Sequence, residues 1–170
     1  MNGGNGKNAH PDHHEAPDRK NYMDIHGMLS PDRIIMDLQS STKRDALVEI
    51  VTNLGTSDGV TDVEALKKAI LEREEIMSTG VGLTIAVPHA KLASVKSFTL
   101  GLARSSKGID YDSLDGQPVK IIVTIAAPDN DQNTYLRVLA AVMHVLRNED
   151  HRKSILGATN AQDIINVFKE

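Results

Sequence analysis

The sequence predicts an α/β (α+β) fold: a single layered domain in which a mixed parallel/antiparallel β-sheet is flanked by helices. Three observations lead there. Stretches with apolar residues at helical spacing alternate along the chain with short apolar runs bounded by turn residues. One of those runs, residues 119–127, is nearly all apolar, the pattern of a central strand covered on both faces. The 170 residues, 40% hydrophobic and 25% charged, suffice for one self-contained core plus a tail.

The elements follow in order. Residues 1–22 read as a flexible polar tail, rich in Gly, Asn, Pro and His, with Lys7, Arg19 and Lys20 balancing Asp12, Glu15 and Asp18. Nothing in it repays the entropy of ordering. The domain proper is expected over residues 23–170. Ser40, Ser41 and Thr42 precede a helix whose Leu47, Ile50, Val51 and Leu54 share one face, with Gly55 as its stop. After a turn at 56–59, Thr61 or Asp62 caps a second helix reaching about Glu75. Residues 78–82 read as a glycine loop and 84–88 as a short buried strand ending at Pro88. Residues 98–103 form another strand, and 107–118 a polar, turn-rich connection. Residues 119–127 are the central strand. A long helix starts within 130–133 and runs to about Arg147, and two short helices near 150–157 and 161–168 end the chain.

Composition excludes several functions. Aromatic residues are 3% and Trp is absent, so platforms that stack bases or sugars are not expected. A net charge of −4 carries no footprint for nucleic acid or an anionic membrane. With no Cys, disulfides, thiolate metal sites and a Cys nucleophile drop out. No metal or other cofactor is expected: His10, His13 and His14 lie in the tail, without a fixed geometry to hold an ion. Residues 1–22 contain no apolar run, and no segment approaches the roughly 20 apolar residues of a membrane span, so a cytoplasmic location is expected.

Two residues stand out for chemistry. His89 follows Pro88 where a buried strand ends, a place that holds ligand chemistry in open α/β sheets. A neutral imidazole there offers one ring nitrogen as nucleophile while the other is held, although a purely structural histidine fits the same pattern. Arg73 falls in the middle of a stripe formed by Val63, Leu66, Ile70 and Met77. A guanidinium on a core-facing stripe needs an anion: a substrate phosphoryl group, or else Glu72, Glu74 or another acidic segment. Beside them, Ser78, Thr79, Gly80 and Gly82 are a candidate phosphate loop supplying backbone N–H donors. His144 shares a polar stripe with Arg137 and leads towards His151, which reads as a solvated face.

The run Glu72, Arg73, Glu74, then Ser78, Thr79, Gly80, Val81, Gly82, then Ile85, Ala86, Val87, Pro88, His89 resembles the signature of the fructose/mannitol-type IIA domains (EIIA type 2) of the bacterial phosphotransferase system. Lys107, Gly108, Ile109, Asp110, Tyr111, Asp112 and Leu114, Asp115, Gly116, Gln117, Pro118, Val119 are similar to the family's middle segment. The resemblance covers residues 24–169 and includes the nitrogen-related regulatory IIA proteins. It implies a phosphotransferase/anion-transport-protein-like fold and a histidine that carries a phosphoryl group. That group comes from the small carrier HPr or its counterpart and passes to a IIB domain. The family's phosphohistidine maps to His89 and its supporting arginine to Arg73. One position departs: Tyr135 stands where the family carries a second active-site histidine. His144 is no substitute, being nine residues on, about 180° around the helix and roughly 13 Å along it. Leu83, too, replaces a residue that is often small and polar.

The resemblance therefore implies a phosphocarrier, a phosphotransferase-type transferase if the family's activity is retained. Two alternatives remain beside it. One is a regulatory interaction module acting on a kinase or transporter partner; the other is a small-anion or nucleotide sensor anchored by Arg73.

Overall fold

The structure, a computed structural model, describes residues 22–169; the expected tail histidines His10, His13 and His14 lie outside the described residues. Six strands form one mixed sheet: β1 (Ile34–Ile35), β2 (Gly80–Gly82), β3 (Ile85–Ala86), β4 (His89–Lys91), β5 (Thr99–Ile109) and β6 (Val119–Ala127). Five α-helices accompany it: α1 (Lys43–Leu54), α2 (Val63–Ile76), α3 (Gln132–Arg147), α4 (Glu149–Gly157) and α5 (Ala161–Val167). The mixed sheet flanked by helices is the expected architecture.

β6 is the centre. It pairs antiparallel with β5 on one edge and parallel with both β3 and β4 on the other. Its Ile121, Val123 and Ile125 pack with Val138, Val142 and Leu146 of α3, and its Ile122 and Ala126 pack with Leu47, Ile50 and Ile70 of α1 and α2. Burial on both faces explains why the run is apolar at nearly every position.

Side chains cap the helices as the sequence indicates. Thr42, Asp62 and Asp131 accept from the third amide of α1, α2 and α3 in turn. No helix among the described residues is long and apolar enough to cross a membrane.

The sheet differs from expectation around the candidate site. The glycine segment is not a loop: Gly80–Gly82 is strand β2, folded back on β3 with Gly80 opposite Ala86 and Gly82 opposite Ile85. Thr84 belongs to the turn between them, so the strand begins at Ile85. His89 does not end a strand but begins β4. The ladder along β6 merely breaks at Val87 and Pro88: Pro88 has no N–H, and that of Val87 goes to Thr79 O at 3.1 Å. The connection expected at 107–118 is partly strand as well. β5 runs on to Ile109 because Ile109 and Tyr111 are drawn fully into the core. At the tail boundary, Tyr22 stacks on His144 with ring centroids 3.9 Å apart, so the last residue of the expected tail packs on the domain.

The β2–β3 turn is held under strain. Leu83 and Thr84, its two central residues, have φ of 57° and 64°. That is the conformation of a type I′ turn, which favours Asn-Gly. Each costs about 1 kcal/mol or more in this region. Leu83→Asn combined with Thr84→Gly is therefore expected to raise the thermal midpoint by a few degrees in a melt.

Candidate functional site

A cavity of about 350 Å³ opens where α2 ends, the β2–β3 hairpin folds over and α3 passes. Ile85, Val87 and His89 line it from the sheet, and Leu139, Met143 and Arg147 line it from α3. Arg73, Met77, Ser78, Thr79, Leu83 and Leu114 complete the wall. His89 and Arg73, singled out in the sequence, thus share one cavity.

His89 is half-buried, and its Nδ1 lies 2.8 Å from the carbonyl oxygen of Val87. A carbonyl only accepts, so Nδ1 carries the proton and Nε2 keeps its lone pair. Burial lowers the proton affinity of the ring below the ordinary histidine value, and the charge of Arg73 lowers it further, against the opposing pull of the Val87 bond. The ring is a neutral base with a fixed tautomer at pH 7.

Arg73 sits in the last turn of α2, half-buried, and donates from Nη1 to Met77 O at 2.9 Å. The stripe used to find it needs correction. Met77 lies beyond the helix and is 61% exposed, whereas Glu74 is the buried member, on the same face as Leu66 and Ile70. Neither acidic neighbour engages Arg73. Glu74 accepts from Lys43 and Thr79, and Glu72 lies nearest Lys68 at 3.8 Å.

Tyr135, in the first turn of α3, has its ring centroid 5.9 Å from that of His89, tilted by 55°. It is buried, and burial raises the pKa of its phenol, with Arg73 pulling the other way. The group at this position is a neutral hydroxyl. The Lys91 ammonium lies 4.9 Å from the centre of the Tyr135 ring and bonds to Gln132 Oε1.

Of the candidate phosphate loop, Ser78 and Thr79 line the cavity. Three of its amides are already bonded: Thr79 N donates to Glu74 Oε1, Gly80 N to Ser78 Oγ and Gly82 N to Ser113 Oγ. The glycines answer to packing at Gly80 and to backbone conformation at Gly82. A Cβ on Gly80 would lie 3.0 Å from Ser113 Cα, and Gly82 has φ of 97°.

Three residues escaped sequence reasoning. Glu74 follows Leu66 and Ile70 at i+4 steps, a spacing that marks its burial. Lys91 is two residues beyond His89 on the same strand face. Arg147 closes a series of i+4 steps from Tyr135 through Leu139 and Met143 along one side of α3. Among the described residues no group of three or more His, Asp or Glu is placed to hold a metal ion. His144 lies against Tyr22, and His151 Nδ1 is bonded to Val145 O.

The family model for "Phosphoenolpyruvate-dependent sugar phosphotransferase system, EIIA 2" matches residues 27–170. The chain is 38% identical over 148 residues to the PTS system fructose-specific EIIABC component of Bacillus subtilis, covering 87% of this chain and 23% of that longer protein. It is 35% identical over 143 residues to the PTS system fructose-specific EIIA component of Haloferax volcanii, covering 84% of this chain and 93% of that one. In three dimensions it resembles the nitrogen regulatory protein IIA-Ntr of Neisseria meningitidis. The TM-score is 0.79 at 25% identity, covering 85% of this chain and 98% of that one.

Proposed function

We propose that this chain, which belongs to the EIIA 2 family of the phosphoenolpyruvate-dependent sugar phosphotransferase system, accepts a phosphoryl group on Nε2 of His89. The donor is the phosphohistidine of an HPr-type carrier, and the group is passed to a IIB domain or kept as a regulatory signal. One observation carries the reading: the Val87 carbonyl holds the Nδ1 proton and leaves Nε2 as the only nucleophilic nitrogen of a ring that lines the cavity.

The chemistry is a displacement at phosphorus. The Nε2 lone pair forms the new P–N bond as the donor's P–N bond breaks, and the bonding pair of the latter stays on the donor's ring nitrogen. A donor ring protonated at its other nitrogen leaves as neutral imidazole, while His89 keeps its Nδ1 proton on Val87. The phosphoryl group brings a charge of about −1.5 to −2 into the cavity. The Arg73 guanidinium, which lines the same cavity, offsets it in this reading through charge-assisted hydrogen bonds. Incubation with phosphoenolpyruvate, enzyme I and HPr, followed by intact mass, tests the reading. A gain of one phosphoryl group is expected, and an unchanged mass contradicts it.

Tyr135 favours a regulatory use of the phosphorylated state over rapid relay. A phenol donates one hydrogen bond but brings no positive charge when the phosphoryl group arrives. Tyr135→His is expected to speed phosphorylation or lengthen the phosphohistidine lifetime, most clearly at mildly acidic pH, by on the order of 1.5–3 kcal/mol at most. Tyr135→Phe is expected to do the reverse. Uptake rates and phosphohistidine half-lives of the three proteins measure it, and three equal sets of values contradict it.

A further inference from the structure

We propose that Glu74 is a positioning residue for phosphoryl acceptance: its buried carboxylate clamps Thr79 and, through that residue, sets both the His89 ring and the Arg73 side chain. The inference rests on the reading of His89 as the acceptor.

Glu74 is 7% exposed, an uncommon place for a carboxylate. Three donors converge on it. Lys43 Nζ lies 3.0 Å from Oε1, Thr79 N donates to Oε1 at 2.7 Å, and Thr79 Oγ1 donates to Oε2 at 2.7 Å. The Thr79 hydroxyl proton is thereby committed to Glu74, so Tyr111 must be the donor in its 3.0 Å bond to Thr79 Oγ1. The Lys43 ammonium also lies 4.5 Å from the centre of the Tyr111 ring. A carboxylate held this way fixes backbone as well as side chain, because one of its partners is the amide of Thr79.

Two connections lead from Thr79 to the reacting groups. Its carbonyl accepts the Val87 N–H at 3.1 Å, and the Val87 carbonyl accepts Nδ1–H of His89 at 2.8 Å. Glu74 is thus two hydrogen bonds from Val87, whose carbonyl chooses the tautomer of His89, and three from the ring itself. In the other direction, Met77 stands two residues before Thr79 and presents the carbonyl that holds Arg73. Nucleophile and charge clamp are therefore registered to one buried anchor. If stability were the only gain, apolar residues of similar volume would serve as well as this buried charged network.

Glu74→Gln tests the clamp, because an amide cannot accept from both groups of Thr79 while facing an ammonium. Thr79→Val removes only the hydroxyl, and Thr79→Ser restores it. Two measurements are made on the full chain: the ¹⁵N shifts of the His89 ring before phosphorylation, and the rate of uptake from phosphorylated HPr over a range of donor concentrations. Wild type is expected to show one tautomer, protonated at Nδ1, and Thr79→Ser, which keeps the hydroxyl, is expected to recover that tautomer and most of the rate lost in Thr79→Val. Folded Glu74→Gln and Thr79→Val are expected to show mixed tautomers. Their rate at saturating donor falls about tenfold to a hundredfold, with little change in half-saturation. A folded Glu74→Gln that keeps the single tautomer and the wild-type rate overturns the proposal. If that variant does not fold, the same result for Thr79→Val overturns it. Absence of uptake by the wild type overturns the acceptor reading instead, and the tautomer measurement still decides whether Glu74 orients the ring.

Discussion

His89→Ala is expected to take up no phosphoryl group under conditions that fully phosphorylate the wild type, while its fold stays intact. The ring is half-buried at the edge of a cavity and donates from Nδ1 to Val87 O. Losing it costs about 0.5–1.5 kcal/mol, and the freed carbonyl can turn to water in the opened cavity. Among the described residues, His89 is the histidine that lines the cavity Arg73 also lines; His144 is exposed against the Tyr22 ring, His26 pairs with Asp24, and His151 lines a separate cavity. Intact mass and a thermal melt of the variant check both halves of the expectation. Label that persists, or that maps to His144 or His151, contradicts it.

The second large effect is expected at Arg73. Arg73→Lys keeps the charge but loses the planar fork, and with it the ability to bond Met77 O and a phosphoryl oxygen together. Transfer should slow by about tenfold to a hundredfold, the kinetic equivalent of one charge-assisted hydrogen bond. The thermal midpoint should fall by only a few degrees. A pH profile separates this role from a structural one. Burial and the Arg73 charge hold the His89 pKa below the ordinary 6.5. The neutral nucleophile therefore survives as pH falls through that value, and uptake declines only at more acidic pH. Arg73→Gln removes one of the causes and leaves burial and the Lys91 charge in place, so His89 protonates more readily and the acid limb moves to higher pH. A variant that unfolds while its folded fraction is phosphorylated normally makes Arg73 a structural residue, through its bond to Met77 O, and contradicts the assignment.

The parts of the fold that could be read from the chain are those set by local rules. Thr42, Asp62 and Asp131 cap helices because their side chains reach an amide three residues on, and such spacing is visible in one dimension. The apolar run of β6 is visible for a similar reason: burial on both faces leaves no polar position to confuse the pattern. The hairpin at residues 80–86 was hidden because Leu83 and Thr84 adopt a conformation that their side chains disfavour, so only the tertiary fold specifies that turn. The extension of β5 was masked by the polar Ser105, Ser106 and Lys107, which precede the buried Ile109.

At the site, His89 and Arg73 could be found because each is an unusual residue for its apolar surroundings. The neighbouring glycines suggested a cradle for an anion, yet Gly80 is required by the approach of Ser113 and Tyr111. Glu74 was missed because it lies between Arg73 and Glu75 in a charged run, which looks solvated. Its partners Lys43, Thr79 and Tyr111 come from three other segments, and only the folded chain brings them together. The same holds for the tautomer of His89, which depends on a carbonyl two residues away and on the chain reversal that fixes it.

The central claim is that Nε2 of His89 is the atom that accepts the phosphoryl group. A long-range ¹H–¹⁵N spectrum of the phosphorylated full chain, with ³¹P coupling to the ring nitrogens resolved, reads that atom directly. The coupling is expected at Nε2 of His89, with Nδ1 still protonated. Coupling at Nδ1 of His89, or at a nitrogen of any other histidine, contradicts the account.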